Sequence, residues 1–106
     1  MQDIMSVLIV DSDEEIRGQL RNQLESRSSR LFLAADGKSA MEIFISEDVN
    51  ILIVDTELND ISGLDILKKC KEKKPHCEVI ITGRARNPEK EEIMRKSHFV
   101  QGRLII

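Results

Sequence analysis

Short apolar runs without alternating polar residues recur along the chain of 106 residues. Four of them are strongly apolar, at residues 7–10, 51–54, 79–81 and 104–106, and a weaker run lies at residues 31–34. Continuous runs of this length are typical of strands that are covered on both faces, as in a central parallel sheet. The pattern therefore predicts five strands, of which the one at residues 31–34 is less buried and closer to an edge.

Between these runs, apolar residues recur every three or four positions, which is the spacing of a helix with one buried face. Four helices are predicted in this way: residues 13–27 with Ile16, Leu20 and Leu24; a stretch after Gly37 with Ala40, Ile43 and Phe44; a stretch with Leu64 and Leu67 that ends before Pro75; and residues 87–97, with Pro88 in the first turn. Strands that alternate with helices are joined by right-handed crossovers, with helices on both faces of one sheet. The sequence therefore predicts an α/β fold with a doubly wound parallel sheet.

Charge and composition narrow the classes of function. The chain has 16 Lys and Arg residues against 19 Asp and Glu residues, a formal net charge of −3, and 41% hydrophobic residues. This size suits one domain over residues 1–106, and the mild acidity argues against a nucleic-acid-binding surface. No apolar run reaches the length of a membrane span, and no secretory signal opens the chain. We therefore expect a cytoplasmic domain that binds neither nucleic acid nor membrane, with Cys70 and Cys77 as reduced thiols.

Residues that can do chemistry follow three of the strongly apolar runs. Asp11 comes directly after the first run, Asp55 after the second and Thr82 after the third. The carboxyl ends of parallel strands lie at one edge of the sheet, so we expect the two carboxylates to lie close together. Such a pair repels unless a cation lies between its members, and Mg²⁺ is well suited to that position. Taken alone, Asp11 or Asp13 could instead cap the following helix, but capping explains one residue and not the set.

A longer pattern surrounds these residues. The segment at residues 7–17, Val-Leu-Ile-Val-Asp-Ser-Asp-Glu-Glu-Ile-Arg, resembles the opening of the receiver domain of two-component response regulators. Leu-Ile-Val-Asp at residues 52–55 followed by Gly63, Val-Ile-Ile-Thr-Gly at residues 79–83 and Ala-Asp-Gly at residues 35–37 resemble later segments of the same family. The resemblance implies a flavodoxin-like sheet of five strands in the order 2-1-3-4-5.

The resemblance also implies a signalling module rather than an enzyme, with a role for each residue at the strand ends. Asp55 would accept a phosphoryl group from a sensor histidine kinase or a phosphotransfer protein. Asp11, Asp55 and the backbone carbonyl of Glu57 would hold Mg²⁺. Thr82 would place its hydroxyl on a phosphoryl oxygen and act as the switch that produces the output.

The sequence departs from the family pattern at several positions. Ser12 replaces the second of two adjacent carboxylates, which predicts weak Mg²⁺ binding, and Asp13 is a candidate substitute ligand. Asn59 stands where the family has a proline. The chain ends at Ile106, before the family's lysine, proline and fifth helix, so we expect a receiver domain truncated at its C-terminus. The uncovered fifth-strand region is then expected to favour a homodimer.

Two other interpretations remain open. A receiver fold that does not accept phosphate would act as a phosphorylation-independent interaction module, with Ser12 as the sign of lost chemistry. A phosphohydrolase of the haloacid dehalogenase type would use Asp11 as the nucleophile and Asp13 as the acid and base. The phosphohydrolase interpretation explains Ser12 but gives Asp55 no role.

Overall fold

Strands and helices alternate strictly from residue 5 to residue 82. The computed structural model describes residues 4–26 and 29–82, together with the backbone of two further strands near the end of the chain. The elements are β1 (Met5–Val10), α1 (Glu14–Leu24), β2 (Ser29–Ala34), α2 (Gly37–Ser46), β3 (Ile51–Asp55), α3 (Gly63–Lys73), β4 (Glu78–Thr82), β5 (His98–Val100) and β6 (Arg103–Ile105). The first seven confirm the predicted strands and helices of this part of the chain. The helix predicted over residues 87–97 lies outside the described residues.

Strands β1 to β4 form a parallel sheet in the order β2-β1-β3-β4. This arrangement confirms the doubly wound α/β fold and the position of β2 at an edge of the sheet. The register pairs Val10 with Val54 and Asp55 with Thr82. The carboxyl ends of the three central strands therefore lie at the same level.

The expected fifth parallel strand at residues 104–106 is the part of the fold that the structure corrects. Beyond β4 the sheet continues as an antiparallel pair, which gives the six-stranded order β2-β1-β3-β4-β6-β5. Strand β6 runs antiparallel to β4, with Leu104 beside Ile81. Only two residues separate β5 from β6, and so short a connection joins antiparallel strands, whereas parallel neighbours need a crossover of about a dozen residues.

Apolar layers cover both faces of the parallel sheet, because successive side chains of a strand point to opposite faces. One layer packs against α2 and α3 and includes Leu8, Val10, Phe44, Leu52, Val54, Ile66, Val79 and Ile81. The other layer packs against α1 and consists of Val7, Ile9, Leu20 and Ile53, with Leu31, Ile51 and Ile80 at its margin. Coverage on both faces is what the continuous apolar runs predicted. Within the described ranges, none of the helices is long and apolar enough to cross a membrane.

Both cysteines are buried free thiols, as expected. Burial is the main cause that raises the pKa of Cys70 to about 12, and burial also raises the pKa of Cys77. The raised pKa values keep both thiols protonated at neutral pH. Because a thiol must ionise to react, the two side chains are unreactive and act as small apolar groups in the core.

A lysine holds the C-terminal end of α2 against α3. The Nζ atom of Lys74 donates hydrogen bonds to the carbonyl of Phe44 at 2.8 Å and to the carbonyl of Glu47 at 2.7 Å. The same cation lies 4.8 Å from the centre of the Phe44 ring. A positive charge at this position satisfies the last carbonyls of α2 and complements the helix dipole.

Candidate functional site at the carboxyl edge of the sheet

The three residues singled out at the strand ends lie together in the structure. Asp55 closes β3 and is the register neighbour of Thr82, which closes β4. The backbone N–H of Thr56 donates to the carbonyl of Thr82 at 3.0 Å, so the hydrogen bonding of the sheet continues to the last residue of β4. Asp11 follows β1, and its backbone N–H donates to the carbonyl of Ala34 at 3.1 Å. The strand-end rule therefore predicted correctly that these three residues lie at one edge of the sheet.

Asp11 is held by the turn that leads into α1. Only 4% of the residue is exposed, and its Oδ1 atom accepts a hydrogen bond from the backbone N–H of Asp13 at 2.9 Å. The carbonyl of Asp11 accepts a hydrogen bond from Nη1 of Arg17 at 2.7 Å. Arg17 was part of the sequence motif but had no predicted role. Its side chain fixes the backbone of Asp11 from the first turns of α1.

The carboxylate of Asp55 lies in an environment that disfavours its negative charge. Partial burial raises the pKa of Asp55, and the nearby charge of Asp11 raises that pKa further, while the backbone N–H of Glu57 opposes the shift. Two carboxylates that repel each other in a partly desolvated site are stabilised by a cation between them. Asp11 and Asp55 therefore form an acidic pair that a bound cation would stabilise.

The donor set at this edge fits Mg²⁺. This ion binds through one or two carboxylates and completes its shell with water and phosphate oxygens. Asp11 and Asp55 supply the carboxylates, and the carbonyl of Glu57 is a further hard oxygen two residues after Asp55. Within residues 4–26 and 29–82, no group of three His, Cys, Asp or Glu side chains is placed to bind a metal. A site of two carboxylates is suited to an ion that keeps much of its water.

Asp13 caps α1. Its Oδ1 atom accepts hydrogen bonds from the backbone N–H of Glu15 at 2.9 Å and of Ile16 at 3.3 Å. This geometry is that of a helix N-cap, which the sequence analysis left open as an alternative for Asp13. Ser12 is exposed. A neutral side chain therefore stands where the family has its second carboxylate, next to Asp11 in the sequence. The Oδ1 atom of Asp13 is therefore already engaged in the cap of α1.

Gly63 brings the loop after β3 back onto the end of that strand. The backbone N–H of Gly63 donates to the carbonyl of Thr56 at 3.2 Å. A Cβ atom at position 63 would overlap the carbonyl oxygen of Asp55, and it would lie 2.8 Å from the carbonyl carbon of Asp55 and 2.9 Å from Cα of Thr56. Only glycine allows this approach of two backbone segments. The resemblance identified the position of Gly63, and the contact with Asp55 explains it.

Comparison with known proteins extends these observations. Residues 7–99 match the sequence profile described as "Response regulator receiver domain". The chain is 34% identical over 77 residues to a cyclic di-GMP phosphodiesterase of Thermotoga maritima, a match that covers 73% of this chain and 20% of that protein. It is 27% identical over 96 residues to the transcriptional regulatory protein SrrA of Staphylococcus aureus, which covers 91% of this chain and 38% of that protein. The chain thus spans a fifth and about two fifths of the length of these two relatives.

Solved structures share the fold. A CheY-like response regulator receiver domain protein from Methanospirillum hungatei superposes with a TM-score of 0.80 at 22% identity, covering 89% of this chain and 75% of that chain. The signal receiver domain of an HD domain-containing protein from Pseudomonas fluorescens gives a TM-score of 0.78 at 22% identity, covering 84% of this chain and 71% of that chain. The profile match, the doubly wound sheet and the acidic edge agree with one another. The chain belongs to the response regulator receiver domain family of two-component systems.

Proposed function

We propose that this domain accepts a phosphoryl group on Asp55 from a sensor histidine kinase or a phosphotransfer protein, with Mg²⁺ as the cofactor and Thr82 as the switch. The observation that carries the proposal is the position of Asp55. It ends a central strand, lies beside Thr82 in the register, and has a raised pKa because of burial and the charge of Asp11. The proposed setting is the cytoplasm, with protein partners rather than nucleic acid or membrane.

The proposed reaction is a nucleophilic displacement at phosphorus. A carboxylate oxygen of Asp55 attacks the phosphoryl group of phosphohistidine, a P–O bond forms, the P–N bond breaks, and its electron pair stays on the histidine nitrogen. Partial burial removes water from the attacking oxygen and leaves it a stronger nucleophile. A bound Mg²⁺ would neutralise charge on the transferred oxygens, and Asp11, Asp55 and the carbonyl of Glu57 are the residues that would hold it.

Thr82 is the proposed sensor of the phosphorylated state. Its backbone is fixed by the hydrogen bond from Thr56, and its side chain is half-buried at the end of β4. In the proposal the hydroxyl donates to a phosphoryl oxygen on Asp55, and the chain that follows β4 moves with it. That following segment, and the homodimer expected through the fifth-strand region, lie outside the fully described residues, so the homodimer stays a prediction.

A phosphorylation-independent interaction module is the second candidate. Ser12 favours it, because a neutral side chain stands where the family has its second carboxylate. The phosphohydrolase alternative has less support. Asp13, its acid and base, is engaged as the N-cap of α1, and this alternative gives no role to Asp55.

Labelling of the wild-type protein with a small phosphodonor tests the proposal. Incubation with acetyl phosphate and Mg²⁺ is expected to add one phosphoryl group, detected by intact-protein mass spectrometry, and chelation of Mg²⁺ with EDTA is expected to prevent the addition. An unlabelled wild-type protein that still binds a cognate kinase would favour the interaction module. Turnover of the donor without a stable adduct would favour the phosphohydrolase.

Replacing Ser12 with aspartate is expected to tighten Mg²⁺ binding roughly tenfold, because a third carboxylate adds a hard ligand and a negative charge beside the ion. Titration of both proteins with Mg²⁺, followed by NMR of the backbone amides, measures the change. Ser12→Asn, which has nearly the same size as Ser12→Asp but no charge, is the control and is expected to bind like the wild type. Equal affinity of Ser12→Asp and the wild type would show that position 12 does not face the ion.

A further inference from the structure

The loop between β3 and α3 is tied to a distant helix by a residue that the sequence analysis gave no role. Oδ1 of Asp60 accepts hydrogen bonds from the backbone N–H of Gly37 and of Ile61, both at 2.9 Å. Oδ2 of Asp60 accepts from the backbone N–H of Lys38 at 3.0 Å. Gly37 and Lys38 are the first two residues of α2, and they lie more than twenty positions earlier in the chain.

Helix α2 already has its own cap. Oδ1 of Asp36 accepts a hydrogen bond from the backbone N–H of Ser39 at 2.8 Å. The first N–H groups of a helix have no partner within it, and a single capping side chain satisfies one or two of them. Asp36 and Asp60 therefore divide the first turn of α2 between them. Of these two caps, Asp60 is the one that comes from another part of the chain, so its hydrogen bonds join the helix to the loop.

The sequence leaves room for this junction. A Cβ atom at position 37 would overlap Cγ2 of Ile61 and lie 3.2 Å from Oδ1 of Asp60. Because Gly37 has no side chain, the loop can approach α2 closely enough for the backbone N–H of Gly37 to donate to Asp60. The backbone N–H of Gly37 is the main cause that lowers the pKa of Asp60, so the carboxylate is ionised at neutral pH next to the positive end of the helix dipole.

The anchored loop is the one that carries the proposed ligand. Glu57 lies between Asp55, at the end of β3, and Asp60, and the far end of the loop returns to Asp55 through Gly63. Helix α2 is in turn held at its other end by Lys74. The backbone at Glu57 therefore lies between two fixed points. One is the end of β3, and the other is the contact of Asp60 with α2, a helix that is held at both ends.

We propose that Asp60 is a positioning residue, whose hydrogen bonds to the first turn of α2 hold the carbonyl of Glu57 in place for Mg²⁺. The inference rests on the proposed function, since it concerns the metal ion of the same site. Asp60 touches neither the ion nor the phosphoryl group, and it acts through the loop backbone. Partners that orient metal ligands commonly change metal affinity by 10- to 100-fold when they are replaced.

Three variants separate positioning from simple capping. Asp60→Ala removes the tie, Asp60→Asn keeps one acceptor oxygen, and Asp36→Ala removes a cap from the same helix without touching the loop. We expect Asp60→Ala to weaken Mg²⁺ binding about tenfold and Asp60→Asn to restore part of that loss. Asp36→Ala is expected to leave Mg²⁺ affinity within twofold of the wild type while lowering thermal stability.

Two readouts keep this inference distinguishable from the proposed function. Mg²⁺ affinity is measured by NMR titration of the backbone amides, and labelling by acetyl phosphate is measured separately over a range of Mg²⁺ concentrations. Equal affinities of the wild type and Asp60→Ala, or an equal loss in Asp36→Ala, would overturn the positioning role while the wild type is still labelled. Mg²⁺ binding that depends on Asp60 in a protein that takes no label would support the role and overturn phosphorylation. A wild type that binds no Mg²⁺ would overturn both.

Discussion

The Asp55→Asn protein is expected to take up no phosphoryl group from acetyl phosphate and Mg²⁺ under conditions in which the wild type takes up one. An amide oxygen is a far weaker nucleophile than a carboxylate, and the substitution also removes one of the two carboxylates proposed to hold Mg²⁺. Asp48→Asn is the matched control, because Asp48 is an exposed aspartate before β3, at the opposite edge of the sheet. Labelling of Asp48→Asn at the wild-type level would show that the loss of one acidic charge does not by itself prevent labelling in Asp55→Asn.

Loss of labelling in Asp55→Asn is not expected to reflect unfolding. Because the folded protein raises the pKa of Asp55 above its ordinary value of 3.8, the ionised carboxylate destabilises the folded state at neutral pH. The neutral variant should therefore be at least as stable as the wild type in metal-free buffer. This advantage is largest above the folded pKa and disappears as the pH falls below 3.8, where both forms are uncharged. Urea unfolding at several pH values in EDTA measures this difference in stability. A less stable variant at neutral pH would contradict the unfavourable burial of the Asp55 charge and its repulsion by Asp11.

Gly63→Ala is expected to lower the free energy of unfolding by about 3 kcal/mol and to impair labelling of Asp55 as well. The added Cβ atom would overlap the carbonyl oxygen of Asp55. No rotamer change relieves this overlap, because the carbonyl is backbone and the position of a Cβ atom is set by its own backbone. The loop after β3 must then shift away from the strand that carries Asp55, which moves Glu57 as well.

Gly18→Ala supplies the control for that substitution. Gly18 lies in the middle of α1, and apart from its own residue, its chain neighbours and the backbone of its helix, a Cβ atom there would have no atom within 4 Å. Alanine is favoured over glycine inside a helix by about 1 kcal/mol, so this variant should gain stability. Urea unfolding of both variants compares the same change of residue in a crowded and an open position. A Gly63→Ala protein as stable as the wild type would show that the close approach to Asp55 is not required.

The parallel part of the fold could be predicted from the sequence because burial on both faces leaves a plain signature. The runs that became β1, β3 and β4 are continuously apolar, and the weaker β2 lies at the edge, where coverage is lower. The final hairpin could not be predicted in the same way. Its strands have three residues each, and the direction of β6 depends on pairing with β5. Short strands with polar ends carry no periodic signal.

Some residues of the candidate site could also be predicted from the sequence, and others could not. Asp11, Asp55 and Thr82 could be located because strand ends meet at one edge, a rule that needs only the order of the elements. The capping role of Asp13 also had a local signal, since an aspartate followed by two glutamates commonly starts a helix. Asp60 had no such signal, because its partners Gly37 and Lys38 are far away in sequence and become neighbours only when α2 packs beside the loop.

The residue that carries the phosphoryl group distinguishes Asp55 from the other aspartates at this edge of the sheet. Wild-type protein labelled with acetyl phosphate and Mg²⁺ is reduced with borohydride, which converts a phosphorylated aspartate into homoserine, and the modified residue is located by peptide mass spectrometry. We expect homoserine at position 55 and at no other aspartate. Homoserine at position 11 or 13, or a phosphoryl group on a residue other than aspartate, would contradict it.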